Sequence, residues 1–450
     1  MSSKFLTVTA TTVTSALLLT GCNLPEQGGD AAPAQPTEES LTMAPAYDTG
    51  SYKPEPHPGW PKETWESLGP ITETTLIGAN TLLPYEVDHR FTLGMTAQRQ
   101  TTFELFTKTM PTNVPDRIAS LEPTYLTGYT QKASDPLSNS RAENTLLRFV
   151  SPEAAEEAAK VLHEAFLAAG GTDFINDSSY PLENVTLPGN ERILASKDER
   201  RQILRAFVPK DEYVLYVYTN NLEVDADGNE TQRGPEAMDW MSEYVKTTAD
   251  MQFPLIDLIP SHKTPEGYGK SDEWQDVDPD DILRYTVLKP EDKNLVGVVP
   301  MSMNNRLFAA QFSNVPEILK MFDSAKIEAA AASETTLVRA SNSANADLIE
   351  ASFKAIDSNS TDSEALQLYD EPQNVPGTTC YASPRDGQTY YFCYLRYKNY
   401  FAYAGITESH PLEDEVNTSP DADAEELDPK KTLSQIIAAQ YYILEQAPTK

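Results

Sequence analysis

The sequence predicts an α+β protein of two loosely similar domains, each an antiparallel sheet covered by helices, behind a lipobox signal peptide and a disordered tether. Three observations predict it. Each half of the chain reads strand, helix, several antiparallel strands, closing helix. Two helix starts carry their own caps, Ser151-Pro152 and Asp428-Pro429. An apolar leader ends on Leu19-Thr20-Gly21-Cys22. The expected organisation is a lipoprotein signal peptide over 1–21, a lipidated flexible tether over 22–57, an N-terminal α+β domain over 58–260, and a C-terminal α+β domain over 261–450.

Lys4 is the only charge in the first 21 residues, and Phe5–Leu19 is apolar and Thr-rich. That length suits a signal-peptide h-region and is short of the roughly 20 apolar residues of a membrane span. Small residues at 20 and 21 let the chain enter a peptidase in extended form. Cys22 then supplies the thiol that accepts a diacylglycerol. A soluble secreted protein whose signal peptide ends near a cysteine is the competing reading. Two or three acyl chains would hold the protein stably where one binds only marginally. The expected location is the extracytoplasmic face of the cell membrane.

Residues 23–57 are rich in Pro, Ala, Glu, Thr and Gly with no apolar period, so they read as coil. About 35 such residues reach roughly 30 Å. The folded part is expected to begin near Gly59-Trp60, and 71–130 read as irregular. Thr145–Val150 reads as a strand entering a helix. Ser151 is that helix's N-cap, Ala155, Ala158, Ala159, Leu162, Ala165, Phe166 and Ala169 form its apolar stripe, and Gly170-Gly171 ends it. Strands follow at Arg201–Pro209 and Glu212–Asn220, the second alternating Val214, Tyr216 and Tyr218 against Leu215 and Val217. Pro235–Ile259 reads as a helix with Met238, Met241, Tyr244, Val245 and Met251 on one face.

In the second half Leu307–Phe312 reads as a strand, Pro316–Ala332 as a helix, Ser333–Ala340 as a strand and Asp347–Ile356 as a helix. Thr378–Tyr397 reads as a hairpin about Asp386-Gly387, a strong two-residue turn signal. Counting outward from Arg385 opposite Gln388 sets Cys380 opposite Cys393, on a non-hydrogen-bonded rung with Cα atoms about 4.5 Å apart. With Cys22 lipidated, these two cysteines remain as a pair in an oxidising compartment, and a Cys380–Cys393 disulfide is predicted. Two free thiols is the alternative. Tyr400–Gly405 gives one more strand, and an acidic loop over 413–428 precedes the last helix, whose face carries Leu433, Ile436, Ile437, Gln440, Tyr441 and Leu444.

The chain has 450 residues, 40% of them hydrophobic, so sizeable cores are available. Its net charge of −33 becomes −34 once the leader and Lys4 are removed. Such a surface repels nucleic acid and anionic headgroups and excludes nucleic acid as a partner.

No catalytic, cofactor-binding or metal residues are identified. Gly267-Tyr268-Gly269-Lys270-Ser271 lacks the spacer and setting of a phosphate loop. Asp225-Ala226-Asp227-Gly228 has Gly234 where a calcium loop needs a bidentate Glu, so it reads as a turn. Asp276, Asp278, Asp280 and Asp281 read as the capped turn Asp280–Tyr285 rather than a weak calcium site. The five histidines (57, 89, 163, 262, 410) are scattered, and no Gly-x-Ser-x-Gly elbow is present. The Tyr-rich run Tyr390–Tyr397 could stack on sugar rings, but tyrosine is also an ordinary half-buried strand residue.

Four segments together resemble a known family: Asp48-x-Gly50-x-Tyr52-x-x-x-Pro56, Leu147-Arg148-Phe149-x-Ser151-Pro152-x-Ala154-Ala155, Asp278-Pro279-Asp280-x-Ile282-Leu283-Arg284, and Ala438-Ala439-Gln440-Tyr441. The set is similar to mycobacterial and corynebacterial cell-envelope lipoproteins known only as a domain of unknown function. The resemblance implies an actinobacterial surface lipoprotein with two α+β regions and carries no catalytic residue across. Residues 324–363 and the acidic loop depart from that pattern. The function expected is a non-catalytic, lipid-anchored binding or scaffold protein, with an envelope glycan, lipid or protein as partner. The alternatives are an envelope hydrolase or transferase with a site assembled in space, and a carrier of envelope lipids.

Overall fold

A computed structural model describes residues 47–111, 113–138, 140–173, 178–187, 190–221, 223–224, 230–231, 239–260, 275–290, 300–358, 367–369, 375–385, 388–407 and 428–449. Cys22 and the leader lie outside them. So do Asp225–Gly228, Gly267–Ser271, the Asp386-Gly387 turn, His262, His410 and nearly all of the acidic loop.

The first half runs α1 (Lys62–Ala79), α2 (Pro84–Val87), β1 (Leu93–Arg99), α3 (Phe103–Thr107), α4 (Pro115–Ile118), β2 (Tyr125–Ser134), β3 (Arg141–Phe149) and α5 (Pro152–Ala169). It continues through β4 (Gly171–Asp173), β5 (Ser178–Tyr180), β6 (Glu183–Val185), β7 (Leu194–Asp198), β8 (Ile203–Lys210), β9 (Tyr213–Asn220), β10 (Glu223–Val224), β11 (Glu230–Thr231) and α6 (Asp239–Ile256). The second half runs β12 (Met301–Met303), α7 (Asn305–Ala309), α8 (Val315–Ser324), β13 (Ile327–Ala332), β14 (Thr336–Ala340) and α9 (Ser343–Ser358). It ends with β15 (Gln367–Tyr369), β16 (Thr378–Arg385), β17 (Gln388–Tyr397), β18 (Tyr400–Thr407) and α10 (Pro429–Glu445).

The two sheets have one topology. The first is ordered β1-β2-β3-β9-β8-β7-β6 and the second β12-β13-β14-β18-β17-β16-β15, each seven-stranded and antiparallel throughout. In each, two short α-helices separate the first and second strands, with a 3₁₀ turn over Ala119–Thr124 added in the first. One helix (α5 or α9) follows the third strand, four strands return beside it, and a closing helix (α6 or α10) ends the repeat. The duplication expected from the sequence is therefore present in the sheet order and in the helices that follow the third strand and close each repeat, while α1, α2 and the β4–β5 and β10–β11 pairs have no counterpart among the described residues of the second half.

Helices cover both faces of each sheet. α5, capped by the Ser151 hydroxyl accepting from the Ala154 N–H and ended at Gly170 with φ of 71°, packs its alanines, Leu162 and Phe166 on Leu147, Phe149, Phe207 and Val214. α6 lays Met241, Tyr244 and Val245 on the opposite face, against Leu146, Leu204, Leu215 and Val217. On the second sheet Phe353 of α9 stacks on Phe401, and Leu433, Ile437 and Leu444 of α10 cover Cys393, Leu395 and Ala402. The α6 side of the first sheet and the α9 side of the second belong to one continuous core. The repeats thus meet through non-equivalent faces, which a duplication alone does not require.

Residues 47–57, expected as the end of the tether, are docked on the second half. Tyr52 is buried in the α10 core, Gln435 donates to the Asp48 carboxylate at 2.9 Å, and Arg284 Nε donates to the His57 carbonyl at 3.0 Å. Residues 47–57 thus belong to the described fold, ahead of the start expected near Trp60, because Tyr47 and Tyr52 supply apolar surface that a Pro- and Glu-rich composition hides. The expected irregularity of 71–130 is also corrected. α1 occupies 62–79, and β1 and the ten-residue β2 follow. Glu73 and Thr74 are buried on α1, so its core-facing residues do not read as an apolar stripe.

Two further expectations are overturned. Leu307–Phe312 holds a short helix and turn, not a strand: the Asn304 side chain caps α7, and the consecutive Leu307, Phe308 and Ala309 are all buried. A short apolar run does not distinguish the two by period. The helix expected over Pro316–Ala332 stops at Ser324, Lys326 takes a φ of 46°, and Ile327–Ala332 becomes a strand paired on both sides. Pairing with β12 and β14 overrides alanine's helix preference. Met251, expected on the buried face of α6, is exposed.

Candidate functional site

Strand alternation places a polar patch on the face of the first sheet that α5 covers incompletely. Lys132 of β2 stands opposite Glu143 of β3, Glu143 opposite Tyr218 of β9, and Tyr218 opposite Arg205 of β8. Two residues along, Thr130, Thr145, Tyr216 and Phe207 form the next row. Residues two apart on a strand share a face, so both rows form one floor. Phe166 in the last turn of α5 and Met110 beyond α3 help wall a cavity of about 300 Å³, at the small end of ligand sites.

Among the described residues Lys132, Arg201 and Arg205 line it, with Glu143 as the one carboxylate. The described lining thus carries a formal charge of +2 in a chain of net charge −33. Arg205 is 7% exposed. Its guanidinium lies 5.1 Å from the Phe166 ring centre and 5.4 Å from that of Tyr218. It makes no ion pair among the described residues. Glu143 is two strand spacings away, roughly 10 Å, and is engaged by Lys132 at 3.6 Å. Cation–π contacts return about 0.5–2 kcal/mol each, whereas burying an ion costs several kcal/mol, so a charge-compensating partner would still be favourable at Arg205.

Burial raises the phenols of Tyr216 and Tyr218, and the nearby Arg205 pulls both back only in part. Both remain hydroxyls at neutral pH. Thr130 and Thr145 share a hydrogen bond of 2.9 Å. Gln98 Oε1, also on the lining, is buried and has no hydrogen-bond partner among the described residues. The site therefore offers fixed positive charge, hydroxyls and an unused acceptor. A second concavity of about 240 Å³ is apolar, between Leu68, Ile71 and Leu76 of α1 and Met301 and Met303 of β12.

Cys380 and Cys393 do not reach the cavity. They face each other across β16 and β17, joined as a disulfide with Cα atoms 4.1 Å apart, beneath α10. The Tyr-rich strand is packed: Phe392 and Tyr394 lie in the central core, and Tyr397 stands edge-on to Tyr441. Asp278 caps the 3₁₀ turn Leu283–Tyr285, its carboxylate accepting from the Ile282, Leu283 and Arg284 N–H groups. No group of metal-ligating side chains occurs among the described residues. His57 stacks on Trp60, His89 meets the Tyr85 ring at a tilt, and His163 meets Asn184 at 3.3 Å. Lys132, Glu143, Arg201 and Arg205 were not singled out in the sequence. The available signal was an arginine inside the apolar run Ile203–Val208, in phase with Tyr216 and Tyr218.

The fold is a tandem of two antiparallel α+β domains with a cationic cavity on the first. Residues 61–266 match the family model described as domain of unknown function (DUF7373) N-terminal, and 298–410 match its C-terminal counterpart. Together the matches span most of the chain, and the chain belongs to this family. No curated protein matches it. Among solved structures, it is similar to the extracellular domain of PknH from Mycobacterium tuberculosis at 10% identity and a TM-score of 0.28, over 45% of this chain and 99% of that one.

Proposed function

We propose that this chain is a non-catalytic binding protein of an actinobacterial cell envelope, anchored by lipid on Cys22, with the cavity on the first sheet as its ligand seat. The carrying observation is the cavity itself, a polar, walled concavity of about 300 Å³ on a rigid sheet. Floors built on strands hold side chains in place better than loops do. The lipobox supports the anchor, and the Cys380–Cys393 disulfide suits an oxidising compartment. No described helix is long and apolar enough to cross a membrane.

Two readings compete. A hydrolase or transferase needs a nucleophile, a base and its orienter in one cleft. A carrier of envelope lipids would use the apolar groove beside α1. Native mass spectrometry of protein released from its own membrane separates them. The expected result is a co-purifying small polar molecule that is lost when Thr109, on the exposed rim of the cavity, is changed to Trp. A co-purifying lipid retained by Thr109→Trp would favour the carrier, and a ligand-free monomer would count against both binding readings. A Cys22→Ala variant that stayed fully in the membrane fraction would refute the anchor.

A further inference from the structure

Resting on the reading of the cavity as a ligand seat, we infer that its ligand is a small hydroxylated oxyanion, a molecule carrying a carboxylate or phosphate group together with at least one free hydroxyl. Arg205 supplies the anion contact. Its guanidinium is buried, framed on two sides by the Phe166 and Tyr218 rings, and forms part of the cavity lining. A guanidinium fork matches carboxylate and phosphate oxygens in paired hydrogen bonds. The rings limit sideways movement, so little orientation is lost on binding.

Lys132 and Arg201 place further cationic side chains on the described lining, whose one carboxylate, Glu143, is held by Lys132. The hydroxyl requirement comes from Gln98. Its Oε1 is a buried acceptor without a partner among the described residues, and a buried acceptor calls for a donor. A ligand hydroxyl provides one where a bare anion does not. The Thr130 and Thr145 hydroxyls and the protonated Tyr218 phenol add groups able to accept or donate toward a polyol.

The volume restricts the ligand to about monosaccharide size. A neutral sugar would leave Arg205 uncompensated, and a fatty acid would leave Gln98 and the threonines facing hydrocarbon. The cavity is also the place where an acidic protein can attract an anion at close range despite repelling it at long range, so binding should weaken as salt screens the short-range attraction.

The test uses the folded protein with four probes, glucose 6-phosphate, glucuronate, glucose and inorganic sulfate, read by isothermal titration calorimetry and by the shift in melting temperature. One or both anionic sugars are expected to bind at least tenfold more tightly than glucose, and which of them wins identifies phosphate or carboxylate as the recognised group. Arg205→Met should weaken that binding by at least about tenfold. Gln98→Leu, at a partly exposed position, should weaken the sugar anion severalfold while leaving inorganic sulfate, which carries no hydroxyl at neutral pH, unchanged. Should Arg205→Met unfold the protein, Lys132→Met on the more exposed side serves in its place, with a severalfold loss expected. Glucose binding as tightly as the anions, or anion binding unaffected by the variants, overturns the inference. If a neutral molecule occupies the cavity and Thr109→Trp displaces it, the oxyanion inference fails while the ligand-seat reading stands. If no probe of either charge binds and Thr109→Trp changes nothing that co-purifies, both fail.

Discussion

Glu73 on α1 forms an ion pair with Arg148 on β3, and both side chains are almost fully buried, at 3% and 0% exposure. Glu212 approaches the same guanidinium at 3.9 Å, and the Tyr213 ring lies 6.0 Å away. The contact fastens α1 to the first sheet, where the neighbouring Thr74 hydroxyl also meets that of Thr127. α1 in turn borders β12 and α7 of the second half, so this pair sits at the join between the repeats.

Removing one member should cost far more than removing both. Arg148→Met strands two carboxylates in a dry site and is expected to lower unfolding free energy by about 3–5 kcal/mol. The double variant Glu73→Leu/Arg148→Met should recover a large part of that. Urea denaturation of the single and double variants measures the difference, and a single-variant loss below about 1 kcal/mol would rule the coupling out.

The Cys380–Cys393 bridge closes a loop with a sequence separation of 13. Closing a loop of that size contributes up to about 3 kcal/mol through the unfolded chain. The Cys380→Ala/Cys393→Ala variant should fold and bind at the first-sheet cavity as before, with a lower urea midpoint. Both cysteines are buried, so a reductant should act on the native protein only slowly. Rapid thiol labelling after mild reduction of the folded protein would contradict that burial.

Gln440 of α10 is fully buried, donating to the Tyr285 carbonyl at 2.8 Å and accepting from the Thr335 hydroxyl. That hydroxyl accepts from the Val287 N–H at 3.1 Å. Gln440→Leu keeps the volume and orphans the partners, with an expected cost of about 1–3 kcal/mol. Gln440→Glu should be worse at neutral pH, because it puts a charge at a fully buried position and turns the group that donates to the Tyr285 carbonyl into an acceptor. Thermal melts of the two variants check the order.

Burial holds His163 below its ordinary value, and the hydrogen bond it donates to the Asn184 amide oxygen and the charge of Glu164 offset only part of that. A histidine depressed in the folded state is protonated first in the unfolded chain. Its contribution to stability is therefore complete above about pH 6.5 and is lost as pH falls below that toward the folded value. His57, also depressed by burial and by Arg284, acts in the same direction. Urea midpoints should fall between pH 7 and 5, and His163→Gln should flatten the slope. An unchanged slope in that variant would assign the pH dependence to other groups.

Helix caps and strand alternation were readable wherever one face of an element meets a uniform apolar core. Ser151, Asp428, the alanine stripe of α5 and the facing cysteines of β16 and β17 all follow from local spacing. Segments whose buried side chains are polar, or whose neighbours come from the far half of the chain, were not. α1 hides Glu73 and Thr74, and β13 is an alanine run held extended by two flanking strands.

The sequence by itself determined the α+β class, the repeat of strands and helices, the cap residues and the pairing of Cys380 with Cys393, because each depends on residues close in the chain. Only the tertiary structure decided that the repeats meet through non-equivalent faces, that 47–57 belongs to the second half, and that Lys132, Glu143, Tyr218 and Arg205 form one row. That row draws on four strands spread along the chain. Its charge balance exists only once those strands are in register, since the field at Arg205 is set by distances across the sheet rather than by spacing along the sequence.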